Sequence, residues 1–119
     1  MKKDDLDYVI EALQKRDEIL INNMPIRQYN KYFDNMRKYA KKIIDANRQD
    51  ELLPLLKSDN ISYRFDVAGL LYNFYPEKCQ QILKDISEMS VDTGLPKYYI
   101  NLSVSAMMDL KHGIPKDFP

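Results

Sequence analysis

Apolar residues recur along this chain at three- and four-residue intervals, and no stretch alternates cleanly with a period of two. That spacing gathers them on single faces of helices rather than on the two faces of a strand. The first stripe, Leu6, Val9, Ile10, Leu13, Leu20 and Met24, predicts a helix from about Asp4 to Asn23. Pro25 then opens a second, at a position where its missing N–H costs nothing. This helix runs to about Asn47 and gathers Ile26, Tyr29, Tyr32, Phe33, Met36, Ala40, Ile43 and Ile44 on one broad arc. "QDELLPLLKSD" predicts a short third helix ending before Asn60, with Pro54 kinking it or marking its start. A fourth covers Ile61 to about Phe74, and a fifth opens at Pro76 with Cys79, Ile82, Leu83, Ile86 and Met89 inward. After the loop "SVDTG", a sixth starts at Pro96 and ends at His112-Gly113, where glycine supplies the left-handed cap. The tail "IPKDFP" has no helical pattern. Six helices would hold roughly four-fifths of the chain, far above the one-third usual in globular domains.

The expected fold is therefore all-α. Residues 1–47 form a helical hairpin, residues 48–113 form shorter antiparallel helices, and 114–119 are a tail, all in a single domain of 119 residues. From Gln49 onward a helix, an Asp-containing turn, an early Arg and then small apolar residues follow one another, as in HEAT-like repeats. The chain between about Tyr29 and Gly113 resembles a family of small bacterial proteins of unknown function with a HEAT-like helical fold. The stretches that carry the resemblance are "YNKYFDNM", "LLPLLKSDN", "YRFDVAGLL" and "YPEKCQQIL", followed by a last helix closing on glycine. "YR" replaces the more usual Val-Arg. The resemblance implies about two repeat units in a right-handed stack and lends no activity. Two units have few neighbours on which to bury their faces, so the first helix is expected to cap one end, and the sixth with the tail to cover the other.

Charge narrows the choice of partners. Lys plus Arg equals Asp plus Glu, so net charge gives no pull toward nucleic acid or an anionic membrane. A single cysteine, Cys79, excludes an internal disulfide and fits a reducing compartment. No apolar run approaches the roughly 20 residues that span a bilayer. "MKKDDLDYVI" has acidic residues where a signal peptide needs an apolar run, so a cytoplasmic location is expected.

Few residues suggest chemistry. Asp59 is expected to cap the fourth helix, and Arg64 to lay its stem over the core and reach a carboxylate or a helix-end carbonyl of the neighbouring unit. Asp17 falls within the apolar stripe of the first helix, so it needs a partner or a raised pKa. Asn30, Asp34 and Arg37 on the second helix are available across the hairpin. The favoured role is a polar lock; the alternative is a small-ligand pocket or enzyme site around Asp17, Asn30 and Asp34. His112 suits a helix C-terminus. With one histidine and one cysteine, no transition-metal site or other cofactor is expected. Ser103 and Ser105 lack a glycine-flanked elbow, and Cys79 reads as a core residue.

The expected function is accordingly non-enzymatic. In the repeat reading the third and fifth helices line a concave side, where Glu51, Lys57, Glu77, Lys78, Gln81, Lys84, Asp85 and Glu88 would meet a partner protein. The nine tyrosines, Tyr98 and Tyr99 among them, add contact surface near helix ends. By analogy with other small helical repeats, the partner role is that of an inhibitor or immunity protein. A second expectation is nucleic-acid binding by Arg27, Lys31, Lys38, Lys41 and Lys42 on the second helix, a basic face interrupted by Asp34 and Asp45. An uncovered edge on the sixth helix is compatible with a homodimer.

Overall fold

The computed structural model describes residues 3–119. Its first helix, α1 (Asp5–Ile21), starts where Asp4 and Asp7 cap each other. The Asp4 carboxylate accepts from the Asp7 N–H at 2.9 Å, and the Asp7 carboxylate from the Asp4 N–H at 3.2 Å. Asp5 and Asp7 in the first turn also match the positive end of the helix dipole. The helix stops before Asn23, which sits at φ 51°, a left-handed conformation that asparagine tolerates without glycine. Pro25 is the residue just before α2 (Ile26–Asp45), and Asn47 at φ 59° ends that helix in the same way. The hairpin closes on Val9, Ala12 and Leu13 from α1 and on Met36, Ala40 and Ile43 from α2, all buried.

The third element is a nine-residue 3-10 helix, Gln49–Lys57. Pro54 in its interior has no N–H for the carbonyl four residues earlier, and its ring crowds that carbonyl, so the α-helical pattern cannot run through it. The tighter winding still turns Leu52 and Leu56 inward. Helix α3 (Ile61–Leu71) is apolar almost all round and lies at the centre, against the 3-10 helix, α1, α4 and α5. Helix α4 (Pro76–Ser87) begins on its proline and buries Cys79, Leu83 and Ile86. "SVDTG" contains a single 3-10 turn, Val91–Thr93, closed by Gly94 at φ 100°. A second turn, Lys97–Tyr99, leads directly into α5 (Ile100–His112), which stops at Gly113, φ 78°.

The all-α expectation holds: 75% of the structure is helix, in six helices, with no strand among the described residues. The element ends shift by a few residues, because caps rather than periodicity decide them. One arrangement differs from expectation. Helix α1 is not an end cap; it packs against α2, α3 and the Lys97–Tyr99 turn. The tail is non-helical, as expected, and is tied down: the Asn73 side-chain amide donates to the carbonyls of Pro115 (2.8 Å) and Phe118 (3.0 Å). The Phe118 ring meets Phe33 of α2 edge-on at 5.9 Å. The radius of gyration, 13.8 Å, is close to the value of about 13.5 Å expected for one compact globule of this length.

Candidate functional site

Helix α1 carries two charged side chains into the interior on successive residues, and they face different neighbours. Arg16 is 3% exposed and forks onto the Asp66 carboxylate of α3, with Nε and Nη2 each at 3.0 Å from one oxygen. Its Nη1 donates to the Tyr29 carbonyl at 2.9 Å, and its guanidinium lies 3.7 Å from the centre of the Tyr29 ring. Planar stacking and a bidentate fork are contacts that arginine makes and lysine cannot. Burial pushes the Asp66 carboxyl upward, and the charge and hydrogen bonds of Arg16 oppose that shift.

Asp17, one residue on, turns toward α3 and α5. It accepts from the Asn60 side-chain amide at 2.8 Å and from the Tyr99 hydroxyl. Burial, then the bond to Asp17, raises the Tyr99 hydroxyl above its ordinary value. This corrects the expected partners of Asp17: Asn30 and Asp34 are both exposed and do not meet it. Asp34 instead flanks a shallow surface cleft with Arg37, Lys38, Lys41 and Asp117. Tyr99 is likewise corrected, since its ring is buried and its hydroxyl committed, so it belongs to no contact surface. Asp59 is exposed, and the cap of α3 is its neighbour Asn60, whose side-chain amide oxygen accepts from the Tyr63 N–H at 3.1 Å. Arg64 does not reach a neighbouring unit: its Nη1 donates to the carbonyl of Ser58, in the turn just before its own helix, at 2.7 Å.

The Arg16–Asp66 pair was not anticipated. Its signal lay in the pattern, however: Arg16 stands on the same side of α1 as Val9, Ala12 and Leu13, and Asp66 is the only acid in an eleven-residue apolar helix. Opposite charges in two apolar helices call for each other.

The surface holds a larger feature. A groove of about 730 Å³ opens between the Gln49–Lys57 helix and α4. Leu53, Pro54, Leu56 and Ile82 form its apolar lining, and Asp50, Lys57, Lys78 and Gln81 its polar rim. Glu77, Lys84, Asp85 and Glu88 are exposed on α4; the Gln81 amide donates to Asp85 at 2.8 Å, while Glu77 and Lys84 flank a separate cleft toward Leu110 of α5. Glu51 is drawn away by Arg48, whose Nη2 donates to it at 2.8 Å. Arg27, Lys31, Lys38, Lys41 and Lys42 are exposed on one face of α2, with Lys38 and Lys42 lying over the Tyr39 ring at 5.3 and 5.1 Å. Tyr98 is half exposed beside α5. Cys79 is fully buried and its thiol is pushed up to about 11 by that burial. The Ser103 hydroxyl donates to the Ile100 carbonyl of its own helix.

No group of three or more metal-ligating side chains occurs among the described residues, and no described helix is long and apolar enough to cross a membrane. Comparison with protein-family models, curated proteins and solved structures returns no match for this chain.

Proposed function

We propose that this chain is a non-enzymatic protein-binding module that receives a partner segment in the groove between the Gln49–Lys57 helix and α4. The observation that carries the reading is the groove itself, about 730 Å³, apolar at its centre and rimmed by charges of both signs. An apolar centre inside a polar rim is the usual anatomy of a reversible protein contact. Asp85 of α4 extends that rim, held by the Gln81 amide. Two successive helical pairs, the 3-10 helix with α3 and α4 with α5, support the HEAT-like reading. An inhibitor or immunity-type role in the cytoplasm is its narrower form, and it requires one stoichiometric partner whose activity falls on binding.

The test is affinity capture from source-cell lysate, with nuclease, using the wild-type chain and two charge-reversed chains. One carries Lys57→Glu and Lys78→Glu on the groove rim; the other carries Lys38→Glu, Lys41→Glu and Lys42→Glu on α2. A protein retained by the α2 variant and lost by the groove variant supports the reading. Capture that disappears with nuclease, or that only the α2 variant loses, assigns binding to the basic face and removes the groove reading.

A further inference from the structure

Helix α5 is apolar on the side it buries and on the side it shows. Leu102, Ser103 and Ala106 face the fold, while Ile100, Val104, Met107 and Met108 occupy an outward arc of roughly 100°. Val104 is 50% and Met107 53% exposed. A helix apolar on both sides is ordinarily covered on both. The outward arc runs on through Asn101 into a cleft of about 480 Å³ between α5 and the α1–α2 turn. Ile21, Met24, Ile26 and Tyr98 line that cleft, and Ile26 is 68% exposed. Stripe and cleft together leave eight large apolar residues more than 40% exposed, Ile21, Met24, Ile26 and Tyr98 with the four of α5.

The charges around this surface select its occupant. Lys97 stands at one end, Lys111 at the other, and Arg27 beside Ile26, all exposed. Of the nearby acids, Asp109 is half-buried and roughly 140° around α5 from Val104, and Glu18, exposed one turn before Ile21, is balanced by Lys15 at 3.8 Å. A second copy fits poorly, because an antiparallel pairing of α5 about Val104 would set Lys97 of one copy against Lys111 of the other. A bilayer presents no side chain to fill a cleft.

We infer that the outer face of α5 and the adjoining cleft form a second docking surface, for an amphipathic helix of a partner protein with acidic flanks. The helix lies along Ile100, Val104, Met107 and Met108 and seats one large apolar side chain between Tyr98 and Ile26. This is helix-in-groove recognition, with an anchor in the pocket and methionines that adapt to the remainder. It stands apart from the groove beside α4 and does not rest on it.

The test uses the full chain and two synthetic helical peptides, both with leucine and phenylalanine on one face. One has glutamate and the other lysine on the remaining positions. The glutamate peptide is expected to shift the NMR signals of Ile26, Val104, Met107 and Met108, and to bind about tenfold or more tighter than the lysine peptide. Met108→Glu alters only an exposed position and is expected to abolish binding while leaving the circular dichroism of the chain intact. Equal affinity for both peptides, or shifts confined to Leu53 and Ile82, overturns the inference. So does a dimer that Met108→Glu dissociates, which would give the face to a second copy. Cosedimentation with phosphatidylserine-containing vesicles, lost on Met108→Glu, would give it to a membrane and likewise overturn the inference.

Discussion

A guanidinium that leaves water loses several kcal/mol of hydration, and Arg16 recovers it only through its contacts with Asp66, the Tyr29 carbonyl and the Tyr29 ring. Such a pair adds little net stability over apolar residues of similar size, but each half depends heavily on the other. Asp66→Asn leaves a buried cation with no counter-charge, and is expected to cost about 3–5 kcal/mol. The double replacement Arg16→Met with Asp66→Leu removes both charges, and is expected to return to within about 1 kcal/mol of wild type or above it. Urea denaturation midpoints separate the two outcomes. A single variant no worse than the double one would mean that the pair is not sealed from water. The role left to the pair is specificity: its fork fixes how α1 is rotated against α3, a selection that interchangeable leucines and isoleucines do not make.

Among the elements, α3 shows how much a start signal depends on one side chain. Asn60 both caps the helix, through Tyr63, and donates to Asp17, so Asn60→Ala removes a cap and a donor to the buried Asp17 together. The expected loss is about 2–3 kcal/mol, whereas Asp59→Ala, at an exposed neighbour, is expected to stay within about 0.5 kcal/mol. Thermal denaturation of the two variants side by side checks this, and equal losses would refute the assignment of the cap. The turn "SDN" was visible in the sequence, but which of its two candidate acceptors does the capping depends on Asp17, 43 residues away. Helix positions were legible for the same local reason: α2 and α4 have one apolar and one charged face, and a proline immediately precedes α2 and opens α4. The winding of Gln49–Lys57 was only half legible. Pro54 announced an interruption, yet nothing local stated that the whole segment would wind as a 3-10 helix. For α5 the stripes on both sides were present in the sequence, but which of them faces the fold is decided by packing against α4.

At the scale of the molecule, periodicity marks which face of a helix is apolar and not which neighbour it meets, so the packing of α1 on α3 and the Lys97–Tyr99 turn was out of reach. Those contacts are set by the successive buried charges Arg16 and Asp17, which tie α1 to α2, α3 and Tyr99 at once. The consequence concerns cooperativity. A stack of repeats linked only to nearest neighbours can open one unit at a time, whereas a chain knotted through α1 should open as a whole. Cys79 reports which occurs: it lies on α4, outside the charged cluster, fully buried, with its thiol pushed up to about 11. At pH 8 the folded thiol is both neutral and inaccessible, so alkylation proceeds only from an opened state, and its rate follows the population of that state. If opening is global, Asp66→Asn accelerates the alkylation of Cys79 by about a hundredfold or more, the factor that 3 kcal/mol or more implies. Mass spectrometry of timed alkylation in native buffer reads this directly. A rate that Asp66→Asn leaves unchanged would mean that α4 detaches on its own. Binding beside α4 would then involve a mobile wall of the groove rather than a rigid one.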